Sequence, residues 1–178
     1  MGSLRLPSGQ PPPGGLRADD WRAVMAGGGI NEAETRTVID AILAPALRAT
    51  HAAMALERGF HGASVASNVP DYTIHSTLTG KIIGVVEAKR AGGDLQHAVR
   101  QMCLQLVTLQ GAGADVTHTR PLVGIATDGF RWVCLFLHGD AWYVTVRPAM
   151  VYYALDGDRG NGRHLTELVA MLLWALSM

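Results

Sequence analysis

The sequence predicts an α/β fold, with a central mixed β-sheet flanked by helices. Three observations carry that expectation. Helical and strand-like runs alternate along the chain in the order helix, hairpin, helix, meander, closing helix, which a two-layer or three-layer α/β arrangement accommodates. The run Ile82-Ile83-Gly84-Val85-Val86 carries no polar residue, as in a strand covered on both faces. Apolar residues make up 48% of the 178 positions, enough to pack one domain core.

Each element has its own signal. Residues 1–18 hold Pro11-Pro12-Pro13-Gly14-Gly15 and little core material, and read as a flexible tail ahead of a single domain over 19–178. Asp19 to Met25 could form a short helical segment before the Gly27-Gly28-Gly29 break. Asn31 is a good N-cap, with Glu32 and Glu34 in a first turn whose dipole favours acids. Thr35, Ile39, Ile42, Leu43 and Ala46 then recur at helical spacing, and Pro45 is expected to kink or end that helix. From about Ala63 the pattern becomes strand-like. Asp71 to His75 reads as a strand, Thr79-Gly80 as a turn and Ile82 to Glu87 as a second strand. After Gly92-Gly93, Asp94 caps a helix whose apolar stripe is Leu95, Val99, Met102, Leu106 and Leu109. Leu122 to Thr127 and Phe130 to Leu137 flank Asp128-Gly129, a strong hairpin signal. His138-Gly139-Asp140 turns into a strand over Trp142 to Val146. A closing helix from Leu165 to Leu176 shows Leu165, Leu168, Val169, Leu172 and Leu176 on one side.

Composition narrows the function classes. Fifteen basic and fifteen acidic groups give a net charge of +0, which excludes a general polycationic nucleic-acid binder and leaves room for a local basic cleft. Cys103 and Cys134 are too few for a disulfide scaffold or a cysteine-ligated zinc site, and their apolar neighbours suggest buried free thiols. Residues 1–16 show no secretory h-region. The longest apolar stretch, near the C-terminus, is interrupted by Glu167 and is too short to span a bilayer. The expectation is a soluble intracellular protein of cytoplasm or nucleus. No glycine-rich phosphate loop opens a helix after a strand, and no Ser/His/Asp arrangement stands out.

The chemistry concentrates in Pro70-Asp71 and Val85-Val86-Glu87-Ala88-Lys89. Period-two geometry puts Glu87 and Lys89 on one face of a strand, and a hairpin partner carrying Asp71 brings a second carboxylate close. Two such carboxylates repel unless a cation lies between them, and oxygen ligands suit Mg²⁺ or Mn²⁺. A lysine beside that metal can orient a water and offset charge developing on a phosphate. The plainer alternative is a surface hairpin with an ordinary Glu–Lys pair. The apolar strand argues against it, because charges at the end of a covered strand need partners or a task.

Together these pieces resemble the PD-(D/E)XK nuclease superfamily, the restriction-endonuclease-like fold. The likeness is to the N-terminal nuclease domain of type I restriction subunits and to the nuclease domains of Crinkler-type effectors. Asn31-Glu32-Ala33-Glu34-Thr35-Arg36 is similar to the helix that opens the former domain. Pro70-Asp71-Tyr72 and Val86-Glu87-Ala88-Lys89-Arg90 are similar to its catalytic hairpin, and Ile125 to Trp132 to its later hairpin. The resemblance implies a metal-dependent nuclease. Asp71 and Glu87 would hold Mg²⁺ with help from the Ala88 backbone carbonyl, Mn²⁺ would substitute, Lys89 would position the attacking water, and Glu32 would lie near the metal. Helical geometry favours Glu32 over Glu34, since Glu32 falls on the stripe of Ile39 and Leu43. Gln101 occupies the place of the family's helix glutamine, which helps bind substrate or water. A tyrosine found four residues later in some relatives is here Gln105, a departure from that subgroup. Gln101 and Gln105 read equally as a site edge or as a solvated rim of the helix.

The expected partner is nucleic acid, with DNA preferred over RNA, and a homodimer or larger assembly fits because duplex cleavage needs two sites. A module on the same fold that holds nucleic acid or protein without cutting is the alternative. Arg90 and Arg100 are candidates for phosphate contact, and His75 and His97 flank the expected cleft. Trp132, Trp142 and Tyr143 lie on strands, where core packing is the expectation.

Overall fold

The helical period after Asn31 becomes helix α1 (Glu32–Ala49) in the computed structural model, which describes residues 32–56, 69–90, 92–111, 120–144, 149–150 and 161–177. The expected tail, the segment from Asp19 to Met25 and the stretch from Ala63 to Asn68 lie outside these residues. Pro45 does not end α1, which continues for a further turn. Its ring removes one donor, but Leu43, Ala46 and Leu47 on either side are fully buried, and that packing holds the turn in place.

Seven strands form one mixed sheet among the described residues. β1 (Ala52–Leu56), β2 (Tyr72–Ser76) and β3 (Ile82–Ala88) pair antiparallel in sequence order, with an irregularity in β2 between Ile74 and His75. The crossover from β3 passes through α2 (Leu95–Gly111) and returns as β4 (Leu122–Thr127), parallel to β3. β5 (Arg131–His138) is antiparallel to β4. On its far side β5 pairs with β6 (Ala141–Val144) near its end and with β7 (Ala149–Met150) near its start. Helix α3 (Asn161–Ser177) closes the fold.

Strand alternation divides the core into two clusters, and the architecture is three-layered. On one face, Tyr72, Ile74, Val86, Ile125 and Trp132 pack under α1 and α3 through Ile39, Leu43, Leu168 and Leu172. On the other, Val85, Ala126, Leu135 and Leu137 pack under α2 through Ala98, Met102, Leu106 and Leu109. Asp94 caps α2 as expected, its Oδ1 accepting the His97 N–H at 3.0 Å.

Four details differ from the sequence expectation. β1 carries little strand signal, because Ala52-Ala53-Met54-Ala55-Leu56 has no β-branched or aromatic residue. The β4–β5 turn takes three residues, Asp128 to Phe130, rather than two. Oδ1 of the buried Asp128 accepts the N–H groups of Phe130 and Arg131, and Gly129 supplies the positive φ of 85°. Trp132 is buried, but Trp142 (43% exposed) and Tyr143 (58% exposed) are not core residues, because β6 has no strand on its outer side among the described residues. Cys134 is buried and Cys103 only half-buried, and neither forms a disulfide. Among the described residues no helix is long and apolar enough to cross a membrane.

Candidate active site

The β2–β3 hairpin brings the two carboxylates together. Tyr72 pairs with Val86, so the register continued by one residue sets Asp71 across from Glu87, and directly opposed residues hold their Cβ atoms roughly 5 Å apart. Alternation along β3 sends Val86 and Ala88 to the α1 side and Val85 and Glu87 to the α2 side. Glu87 is 4% exposed, a carboxylate placed where an apolar residue would ordinarily sit.

Each carboxylate is held by two donors. Asp71 Oδ1 accepts from Arg36 Nη2 at 2.7 Å, and Oδ2 accepts from the Ala88 N–H at 2.7 Å. Glu87 Oε1 accepts from Lys89 Nζ at 2.6 Å, and Oε2 accepts from Gln105 Nε2 at 3.0 Å. Two cations, Arg36 and Lys89, thus face two anions. This is the neutralisation that buried charge requires. Two residues on, the Lys89 backbone N–H donates to the Thr127 carbonyl at 2.8 Å, which ties the end of β3 to β4.

Surrounding elements fix this corner. The first turns of α1 reach it through Arg36, and Thr35 of the same helix abuts Gly129 of the β4–β5 turn. Asp128 Oδ2 accepts from Arg131 Nε and Nη2 at 2.8 and 2.6 Å, and Arg131 Nη2 also donates to the Gly93 carbonyl at 2.7 Å. That clamp joins the turn to the start of α2. Below Asp71, burial and then the adjoining Asp40 carboxylate push the Tyr72 hydroxyl well above the usual tyrosine range, so it stays neutral.

The structure brings Asp71, Glu87, Ala88 and Lys89 together. Glu32 opens α1, at the end of the helix that reaches the corner; its side chain lies outside the described residues. Gln101 lies one turn before Gln105 on α2, half-buried, with its Oε1 buried and unpartnered among the described residues. His75 sits at the opposite end of the hairpin, beside Ile82, where its Nε2 pairs with Thr73 Oγ1 at 2.7 Å. His97, Arg90 and Arg100 are exposed.

The sequence alone assigns Arg36 no role and leaves Gln105 open between a site edge and a solvated rim. Gln105 is not a rim residue: it is 0% exposed and touches Glu87 directly. Its signal was present, since Ala98, Met102, Gln105 and Leu109 follow a 4-3-4 spacing along one buried face. Arg36 had no such signal, because its partner is 35 residues away.

The donor set suits a hard cation. Asp71, Glu87 and the Ala88 carbonyl offer oxygen alone, and a carboxylate oxygen that already accepts one hydrogen bond keeps a second lone pair. Among the described residues no group of three or more His, Cys, Asp and Glu side chains is placed to hold a metal ion.

No protein-family model matches the sequence, and no curated protein matches it. Among solved structures, the chain is similar to the type IIG restriction endonuclease BpuSI, at 15% identity and a TM-score of 0.53, over 84% of this chain and 17% of that one. It also aligns with a chain of the DrdV–DNA complex at 15% identity and a TM-score of 0.49, over 85% of this chain and 13% of that one. The likeness to BpuSI shows a restriction-endonuclease-like α/β fold. The chain spans under a fifth of that enzyme's length.

Proposed function

We propose that this chain is a divalent-metal-dependent nuclease of the PD-(D/E)XK type that hydrolyses phosphodiester bonds within DNA. One observation carries the reading: the hairpin register, continued one residue past Tyr72–Val86, sets Asp71 opposite Glu87, with Lys89 paired to Glu87. The fold shared with a restriction endonuclease supports the same reading. Asp71, Glu87 and the Ala88 carbonyl would hold Mg²⁺, with Mn²⁺ as a substitute and Glu32 near it. When bound, that ion supplies Lewis-acid polarisation of the phosphate and a lowered pKa for a coordinated water.

The chain's own groups do the rest. Arg36 and the Ala88 N–H fix the Asp71 carboxylate in one orientation before substrate arrives. Lys89 Nζ, held on Glu87 Oε1, lies where it can orient a water and stabilise the extra negative charge of a pentacoordinate phosphate. Gln101 on α2 would contact that water or the substrate. Arg90 and Arg100, both exposed, are the candidates to meet backbone phosphates.

The test is cleavage of plasmid and oligonucleotide DNA with Mg²⁺, Mn²⁺ or EDTA, comparing the wild type with Asp71→Ala and Lys89→Ala. Cutting that needs metal and falls by at least about 10²-fold in both variants is the expected result. Retention of DNA in a gel shift with no cutting would instead establish a binding module on this fold.

A further inference from the structure

Gln105 is out of place for stability alone. It lies in the buried face of α2 among Ala98, Met102, Leu106 and Leu109, and it is 0% exposed. A glutamine there must satisfy an amide with two donors and an acceptor. Nε2 donates to Glu87 Oε2 at 3.0 Å, which fixes the amide's orientation, since the flipped amide would set a carbonyl against a carboxylate. Its Oε1 is left buried with no partner among the described residues, as is Oε1 of Gln101 one turn earlier. A leucine or methionine would fill the site and leave no orphaned acceptor.

We propose that Gln105 is a positioning residue for Glu87, and the proposal rests on the nuclease reading above. Glu87 has two oxygens, and Lys89 holds only one of them. Held by Lys89 alone, the carboxylate could swing about its terminal torsion, which is broad for glutamate. Gln105 holds the second oxygen at 3.0 Å, so with both oxygens anchored the carboxylate keeps one orientation. Gln105 and Gln101, one turn apart on α2, each keep a buried Oε1 acceptor without a partner among the described residues. A water carried by the metal supplies donors of the matching kind. Partners of this sort around a metal ligand commonly change metal affinity or activity by 10–100-fold.

The discriminating experiment measures single-turnover DNA cleavage against Mn²⁺ concentration for the wild type, Gln105→Met and Gln96→Met. Gln96→Met alters an exposed glutamine on the same helix and serves as the control. Gln105→Met is expected to raise the Mn²⁺ half-saturation by about tenfold or more, with KM for DNA unchanged and Gln96→Met matching the wild type. A purely structural role would lower folded protein without moving that half-saturation. Wild-type Mn²⁺ dependence and rate in Gln105→Met would overturn the inference and leave the nuclease reading standing. A wild type that cuts nothing overturns the nuclease reading, and this inference with it. Should Gln105→Met not fold, NMR of the wild type decides. Slowly exchanging Gln105 side-chain amide protons that broaden on Mn²⁺ addition support the role, and fast exchange with no Mn²⁺ response overturns it.

Discussion

Asp71 and Glu87 each reach the site with both oxygens already accepting a hydrogen bond, so their orientation is set before any ligand arrives. The two salt bridges differ in surroundings. Glu87 is nearly buried, whereas Arg36 and Asp71 keep 27% and 16% of their side-chain surface. Arg36→Met should therefore cost only about 1–2 kcal/mol in urea unfolding, a buried-pair loss discounted for solvent access. The same variant should lower the cleavage rate by about tenfold, because Asp71 Oδ1 is released. A rate unchanged in folded Arg36→Met would remove Arg36 from the site. The proposed catalytic triplet was legible because its information is local: strand alternation links Glu87 to Lys89, and one hairpin links both to Asp71. Arg36 was not, since its partner lies 35 residues away and packing decides that contact. Gln105 lay on the buried 4-3-4 face of α2, but spacing alone does not say which strand residue that face meets.

Helix α2 is the element that carries Gln105 to Glu87, and a glycine sets how closely it approaches. A Cβ on Gly124 of β4 would lie 2.7 Å from Met102 Sδ and 2.8 Å from Leu106 Cδ1. Gly124→Ala should push α2 outward and cost about 1–3 kcal/mol by overpacking, read from the denaturation midpoint. Because Gln105 rides on the same helix, Gly124→Ala should also weaken Mn²⁺ dependence in the direction of Gln105→Met. Stability lost without any change in Mn²⁺ response would show that α2 can shift without moving the amide. The element itself was legible in the sequence, from the Asp94 cap and the apolar stripe, although Ala98 rather than Val99 is the fully buried residue of its second turn. β1 was not legible, because an alanine-rich segment acquires strand geometry only by pairing with β2. Pro45 does not end its helix for the matching reason: burial on both sides of it outweighs its local preference.

Two properties belong to the whole molecule. The first is alkaline stability. Burial pushes the Cys134 thiol up to about 12 from its ordinary 9.0, and burial moves Tyr72 upward from 10.0 as well. An unfolded chain gives up these protons first, so the stability contributed by the neutral buried forms is whole below pH 9. It drains away as pH rises from 9 to about 12, with Tyr72 adding to the loss above 10. Urea midpoints should fall over that window, and Cys134→Val should flatten the slope; a midpoint constant to pH 11 would contradict both shifts. The second property is the number of sites. Each chain presents one Asp71–Glu87 pair, and on the proposed nuclease reading one such pair would break one strand at a time. With a net charge of +0, the chain has no global field to hold it on DNA between two cuts. Supercoiled plasmid should therefore give nicked circles at a rate linear in protein concentration. Linear DNA should appear faster than linearly, because the second strand needs a second copy. If linear product instead formed at low protein without a nicked precursor, two sites would already be assembled, and sedimentation at the same concentration should then show the dimer.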